Sequence, residues 1–346
     1  MKKLLATTAL IAAAGTCYAH HGNSSQFDQS KSLEVSGAVT KIRFVNPHSY
    51  VYFDVTTDSG EVQNWRCEMQ AASVLKRSGW SADMFPTGTR IRIEGAPARR
   101  EPYGCYVERF NLDEGEVIQR YQELEGAETI VSTDDRPATL ANGHPNISGD
   151  WAMPQRHGTA RPPPSGQGSP QYELTAAGKA AVADFDLNRD NPRFHCKAIN
   201  IFADWTFDRH VNRIEQADNT VTLKYGFMDI ERIIHLDMDA HPANIAPSRA
   251  GHSIGQWEGN TLVVDTVGFK EGYLEGRDGV MHSAQMHALE KFTLDPAEGS
   301  ITRHYVAEDP LYLVQAVEKE DKVYLTSTNF EPYNCEDLTT EIIEGH

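Results

Sequence analysis

The sequence predicts a mainly β chain, built as a small OB-like barrel followed by a larger antiparallel barrel. Two observations carry this. Residues 33–118 alternate in short apolar and polar runs around a single helical stretch, and from Ser148 onward strand-like runs recur between turn residues. Length agrees, since 346 residues lead one to expect about two domains.

The first barrel begins with alternation from Leu33 to Val45 and again from Ser49 to Thr56. Asp58-Ser59-Gly60 then turns the chain into a third run, Glu61 to Met69. Ala71 to Gly79 reads as a short helix closed by glycine, and Thr89 to Gly95 follows the turn-like Pro86-Thr87-Gly88. Residues 119–148 are charged and polar, as a linker is, and 154–170 hold Pro162-Pro163-Pro164 in a long irregular loop. Beyond the helix-like stretch Thr175 to Asp184, strands are expected at Arg213–Gln216, Thr220–Tyr225, Ile230–Met238, His252–Gln256, Thr261–Phe269, His287–Leu294, Ser300–Val306 and Lys322–Asn329. That spacing suits an antiparallel barrel of roughly eight strands.

The N-terminus carries the features of a secretory signal. Lys2 and Lys3 precede the apolar run Leu4 to Ala14, which is too short to span a bilayer, and Ala19 supplies the small residue before the cut. Cleavage after Ala19 exposes His20 as the new N-terminus and places the protein in the periplasm or outside the cell. The expected divisions are a signal peptide at 1–19, an OB-like domain at 20–118, a linker at 119–147 and a barrel domain at 148–346. A lipoprotein reading would acylate Cys17, but Ala14-Gly15-Thr16 lacks the large aliphatic residue that usually precedes such a cysteine.

The formal charge of −17 argues against nucleic acid, which needs a basic footprint, and no later segment is long and apolar enough for a transmembrane helix. With Cys17 in the signal, Cys67, Cys105, Cys196 and Cys335 remain, and an oxidising compartment makes disulfides the default. Three pairings can be drawn. Cys67–Cys105 with Cys196–Cys335 is favoured because each bond then falls inside one expected domain.

Several strings have a familiar look: His20-His21, Val45-Asn46-Pro47-His48, Trp65-Arg66-Cys67-Glu68-Met69 and Arg77-Ser78-Gly79-Trp80 in the first half. In the second they are Gly149-Asp150-Trp151, Asn191-Pro192-Arg193-Phe194, the run Gly251 to Thr266, and His282-Ser283 with His287. On these the chain resembles secreted bacterial proteins whose N-terminal module is known only as a domain of unknown function, often fused to the second module. The resemblance implies a fold and no activity. Gly149-Asp150-Trp151 also resembles the Gly-x-Trp that opens lipocalin-like barrels.

Two sets of side chains carry candidate chemistry. A mature His20 offers an α-amine and an imidazole on one residue, and His21 or His48 would complete a T-shaped three-nitrogen set suited to Cu(II). Copper is therefore the cofactor expectation, against a reading in which His20 and His21 are a plain terminus and His48 caps a turn. In the second domain, His282, Met286, Ala288 and Glu290 alternate along one face, and Asp265 shares a face with Val263 and Val267. If those faces are interior, His282 and Glu290 could serve as an acid/base pair, and Asp265 needs a partner from Arg232, His252 or Arg303. Eight residues of straight strand would set His282 and Glu290 ~26 Å apart, too far for a direct hydrogen bond, so His282 is expected in a loop at the barrel mouth, nearer to His252 than Glu290 is. His252, His282, Asp265 and Glu290 are thus the candidate catalytic residues, and a zinc site drawn from His235, His241, His252, His282 and His287 matches no hydrolase spacing.

There is no Gly-x-Ser-x-Gly elbow, Walker loop or dinucleotide fingerprint. The leading expectation is a periplasmic protein that binds a small, largely apolar molecule in its C-terminal barrel, with cofactor-free lyase, isomerase or hydratase chemistry if it is an enzyme. The alternatives are a copper-binding protein using His20 and a structural or interaction module of the envelope.

Overall fold

The computed structural model describes residues 26–125, 136–153 and 172–336. The signal peptide, His20, His21 and the proline-rich loop lie outside them.

The first barrel comprises β1 (Leu33–Arg43), β2 (Tyr50–Thr56), β3 (Val62–Glu68), helix α1 (Ala72–Arg77), β4 (Arg90–Pro97) and β5 (Gly104–Leu112), with a short β6 (Ile118–Gln119) on its edge. Antiparallel pairs run β3-β2-β1-β4-β5, and β3 closes on β5 in parallel. Five strands so ordered, with a helix inserted after the third, form the OB-like barrel expected from the sequence. Cys67 and Cys105 stand opposite each other in the parallel closure and are joined there by a disulfide, which staples the seam of the barrel. β1 is long enough to pair on both sides, and Gly37 makes the close approach practicable: a Cβ there would lie 2.4 Å from the Asp54 carbonyl oxygen. The core is Val39, Val51, Phe53, Ile91, Ile93, Phe110, and Leu75 and Trp80 from the helical side. Residues 119–124, expected in a linker, pack on this barrel instead. Arg120 is buried and donates to the carbonyls of Glu68 and Val107, while the Trp80 indole N–H donates to the Gln122 carbonyl.

The second barrel contains β7 (Gly149–Ala152), β8 (Asn212–Gln216), β9 (Thr220–Lys224), β10 (Glu231–His235), β11 (His252–Glu258) and β12 (Thr261–Val267). A hairpin of β13 (Gly272–Glu275) and β14 (Val280–His282) forms its own two-stranded sheet, and β15 (His287–Asp295), β16 (Ser300–Glu308) and β17 (Val317–Leu325) complete the barrel. Nine strands close the ring, not eight, because the Gly149–Ala152 segment bridges β17 and β8. The ring is also not wholly antiparallel. β10 and β11 run parallel, with Ile234 opposite Ser253 and His235 opposite Ile254. A parallel pair cannot be joined by a tight hairpin, so residues 236–251 must carry the chain back to the starting end. Helix α2 (Ala176–Ala181) starts where Thr175 caps the Gly178 amide, one stretch of the helix predicted from Thr175.

Inward residues alternate along these strands, as on β15, where Ala288, Glu290, Phe292 and Leu294 are buried and Leu289 and Lys291 are exposed. Trp151, Trp205, Tyr225, Leu262, Val264 and Phe292 fill the interior. The two barrels meet along a hydrogen-bonded seam. The Asn46 amide donates to the Tyr333 carbonyl at 2.6 Å and accepts from the Ser73 backbone amide and hydroxyl, and the Ser73 hydroxyl in turn lies 3.0 Å from Nδ1 of His210. Asn46 thereby supplies a partner for an amide of α1's first turn, whose orphan N–H groups need one.

A histidine–aspartate relay on the barrel wall

The alternation that placed Asp265 with Val263 and Val267 holds, but that face is the outer one. Leu262, Val264 and Thr266 turn inward, and Asp265 is 37% exposed in its side chain. Its partners are histidines. Nε2 of His241 lies 2.9 Å from one carboxylate oxygen and Nε2 of His287 lies 3.0 Å from the other. Nδ1 of His241 then meets Nδ1 of His252 at 2.8 Å, and the His252 ring stacks on His235 with centroids 5.1 Å apart. Strand register explains the gathering. His235, His252, Asp265 and His287 all point outward from β10, β11, β12 and β15, and the return segment 236–251 lays His241 across them.

The hydrogen bonds order the protons. Burial works against the Asp265 charge, but the two imidazoles more than offset it and hold the carboxyl below its usual range. Asp265 accordingly accepts from Nε2–H of His241, and in the tautomer where His241 keeps its Nδ1 lone pair, that nitrogen accepts the Nδ1–H of His252. In that tautomer Nε2 of His252 carries the lone pair. Burial, and then the neighbouring His241 and His235, keep His252 below its ordinary pKa of 6.5, so it is neutral at neutral pH. The same outer face carries Ile254 and Leu289 opposite Asp265 and Val267 opposite His252; Ile233 is 46% and Leu289 38% exposed. The histidine–aspartate cluster thus borders exposed apolar side chains on the outer wall.

The remaining candidates are elsewhere. Glu290 is 0% exposed, with Arg232 Nη2 at 2.5 Å and Arg303 Nη1 at 3.5 Å. Arg232 also donates to Ser253 and Thr266, and Arg303 to the carbonyls of Ile201 and Phe202 and to Asp321. Two arginines and two carboxylates therefore neutralise one another inside the barrel. The arginine partners expected for Asp265 belong to Glu290. Burial opposes the Arg232 charge, but Glu290 outweighs it and raises the guanidinium pKa.

His282 does not share a strand with Glu290. It ends β14, buried against Phe269, with Nδ1 3.2 Å from the Ser283 carbonyl, while Ser283 binds Asp309. Residues 283–286, between β14 and β15, interrupt the pattern that had joined the two. A pairing of His282 with Glu290 is not formed, and His282 carries packing instead of standing at an open mouth.

In the first barrel, Nδ1 of His48 lies 3.2 Å from the buried Glu68 carboxylate, to which the Tyr50 hydroxyl also donates at 3.5 Å. Burial would lower the His48 pKa, but Glu68 more than reverses this and raises it. Glu68 takes the Nδ1–H, so Nε2 of His48 is the nitrogen that a ligand would reach once His48 is deprotonated. Among the described residues, no group of three or more His, Cys, Asp or Glu is arranged to hold a metal ion.

No helix among the described residues is long and apolar enough to cross a membrane, and the two disulfides, Cys67–Cys105 and Cys196–Cys335, are of the kind found in extracytoplasmic proteins. The pairing is the one favoured from the sequence. No curated protein matches the chain. Residues 8–105 match the model of a family of unknown function (DUF6152), a span that takes in part of the signal-like segment and most of the first barrel.

Proposed function

We propose that this chain is a periplasmic or secreted protein that handles a small, largely apolar molecule on its C-terminal barrel by cofactor-free proton transfer. The observation supporting this is the order Asp265–His241–His252, which leaves a neutral imidazole lone pair beside exposed Ile233 and Leu289. His252 takes the proton at Nε2, its Nδ1–H stays on His241, and Asp265 stabilises the charge through His241. His287 holds the second carboxylate oxygen. The reading moves the site from the barrel interior to its wall, because Glu290 and its arginines occupy the interior.

A panel of small apolar compounds, screened by chemical-shift changes at ¹⁵N-labelled histidines, tests it. A binder should move His252, and where it is turned over, His252→Ala should cost about 10²–10⁴-fold in rate. A panel that leaves every signal of the cluster unmoved, or turnover indifferent to His252→Ala, refutes the reading.

The orientation of His48 by Glu68 favours a second reading, copper binding by His20, His21 and His48. Mature protein should then bind one Cu(II) tightly, and one added Ala before His20 should weaken that binding sharply. Equal affinity with and without the extra residue refutes it.

A further inference from the structure

Residues 327–336 leave the last strand of the second barrel and cross onto the first. Besides the Asn46–Tyr333 bond, the Glu336 amide donates to the Asn46 carbonyl at 2.7 Å, Lys76 pairs with Glu331 at 2.9 Å, and Arg43 pairs with Glu336. This strap walls a cleft of about 520 Å³ between the barrels, together with Asn46, Ser73, Arg77 and His210. It is tied back to the second barrel by Cys196–Cys335, which closes 139 residues of chain.

The two disulfides differ in access. Cys67 and Cys105 are 0% and 1% exposed within the first barrel's core, whereas Cys196 and Cys335 are both partly exposed. Cys196 is also held in the left-handed region at φ 52°, which a cysteine rarely adopts, and its neighbours in sequence are the exposed His195 and Lys197. Access decides which disulfide a thiol attacks.

We infer that Cys196–Cys335 is a thiol-exchange site, at which an extracytoplasmic dithiol reductant releases the strap and loosens the two barrels along the Asn46–Tyr333 seam. The reductant's thiolate attacks one sulfur, the S–S bond breaks, and the expelled cysteine thiolate takes a proton. The second reductant thiol then resolves the mixed disulfide. Two electrons and two protons pass to Cys196 and Cys335, and the dithiol becomes a disulfide.

The test is stepwise reduction of the full mature chain with dithiothreitol, mapping alkylated cysteines by mass and following amide hydrogen exchange at each step. Cys196–Cys335 should open completely while Cys67–Cys105 stays closed. Amides at Val45, Asn46, Ser73 and 327–336 should then exchange at least tenfold faster, with the barrel strands unchanged. A Cys196→Ser/Cys335→Ser variant should show the same exchange without reductant. The inference is overturned if both disulfides open together, if the seam amides keep their protection, or if the barrel strands lose theirs, since the bond would then be purely structural.

Discussion

Replacing His210 by glutamine should change how the protein responds to acid. His210 is 3% exposed at the seam, with Nδ1 on the Ser73 hydroxyl and its ring against Phe227 and Tyr333. Burial, then the charges of Arg77 and Arg193, push its pKa down from 6.5 to about 3. The folded state therefore keeps the ring neutral where the unfolded chain would protonate it. This contribution to stability is whole above pH 6.5 and is lost as pH falls toward 3. Between pH 6.5 and 4 the loss is on the order of 3 kcal/mol, at about 1.4 kcal/mol per pH unit. Glutamine keeps an N–H for Ser73 and does not titrate. His210→Gln should be less stable than the parent by about 1 kcal/mol at pH 7.5 and more stable than it by pH 4. Urea midpoints at pH 4, 5.5 and 7.5, disulfides intact, give the comparison. Parallel stability curves for the two proteins would refute the claim that His210 is buried as a neutral ring.

Other consequences follow from the same geometry. Glu290→Gln leaves Arg232 without its carboxylate inside the second barrel, Arg303 keeping Asp321, and should cost about 3–5 kcal/mol of stability in urea denaturation without altering the cluster on the outer wall. His48 titrates in the opposite sense to His210. Its folded pKa is raised, so the His48–Glu68 pair contributes fully below pH 6.5, and that contribution fades as pH rises through the folded value. His48→Gln should remove this alkaline loss, and unchanged pH dependence in the variant would contradict the ion pair. Asp265→Asn should raise the exchange rate of the His241 ring proton and slow any His252-dependent turnover, while leaving the urea midpoint within about 1 kcal/mol of the parent.

Much of the fold was legible because period-two alternation records which faces are buried. β15 follows the predicted alternation residue by residue over His287 to Leu294, and the Gly-closed helix after Met69 appears as α1. Alternation does not say which face is inside, and this decided the site. Asp265 and Glu290 both sit among apolar neighbours in sequence, yet one faces water and the other faces Arg232 and Arg303. Nor does alternation distinguish a parallel neighbour from an antiparallel one. The crossover 236–251 that lays His241 on Asp265 follows from the parallel β10–β11 pair, which no local signal announces. His241 and His287 were visible only as members of a histidine-rich set. The one-face pattern from His282 to Glu290 is broken at residues 283–286, between β14 and β15, so the two lie on different strands. The disulfides were legible from compartment and domain order alone.

The claim at the centre of this account is that His252 carries a bare Nε2 at neutral pH. ¹⁵N NMR of the imidazole rings reads this directly, because protonated and unprotonated ring nitrogens resonate far apart. The account predicts a neutral His252 with its proton on Nδ1, beside a neutral His241 with its proton on Nε2. A His252 that is charged, or that carries its proton on Nε2, would contradict it, since that nitrogen would then have no lone pair with which to accept a proton.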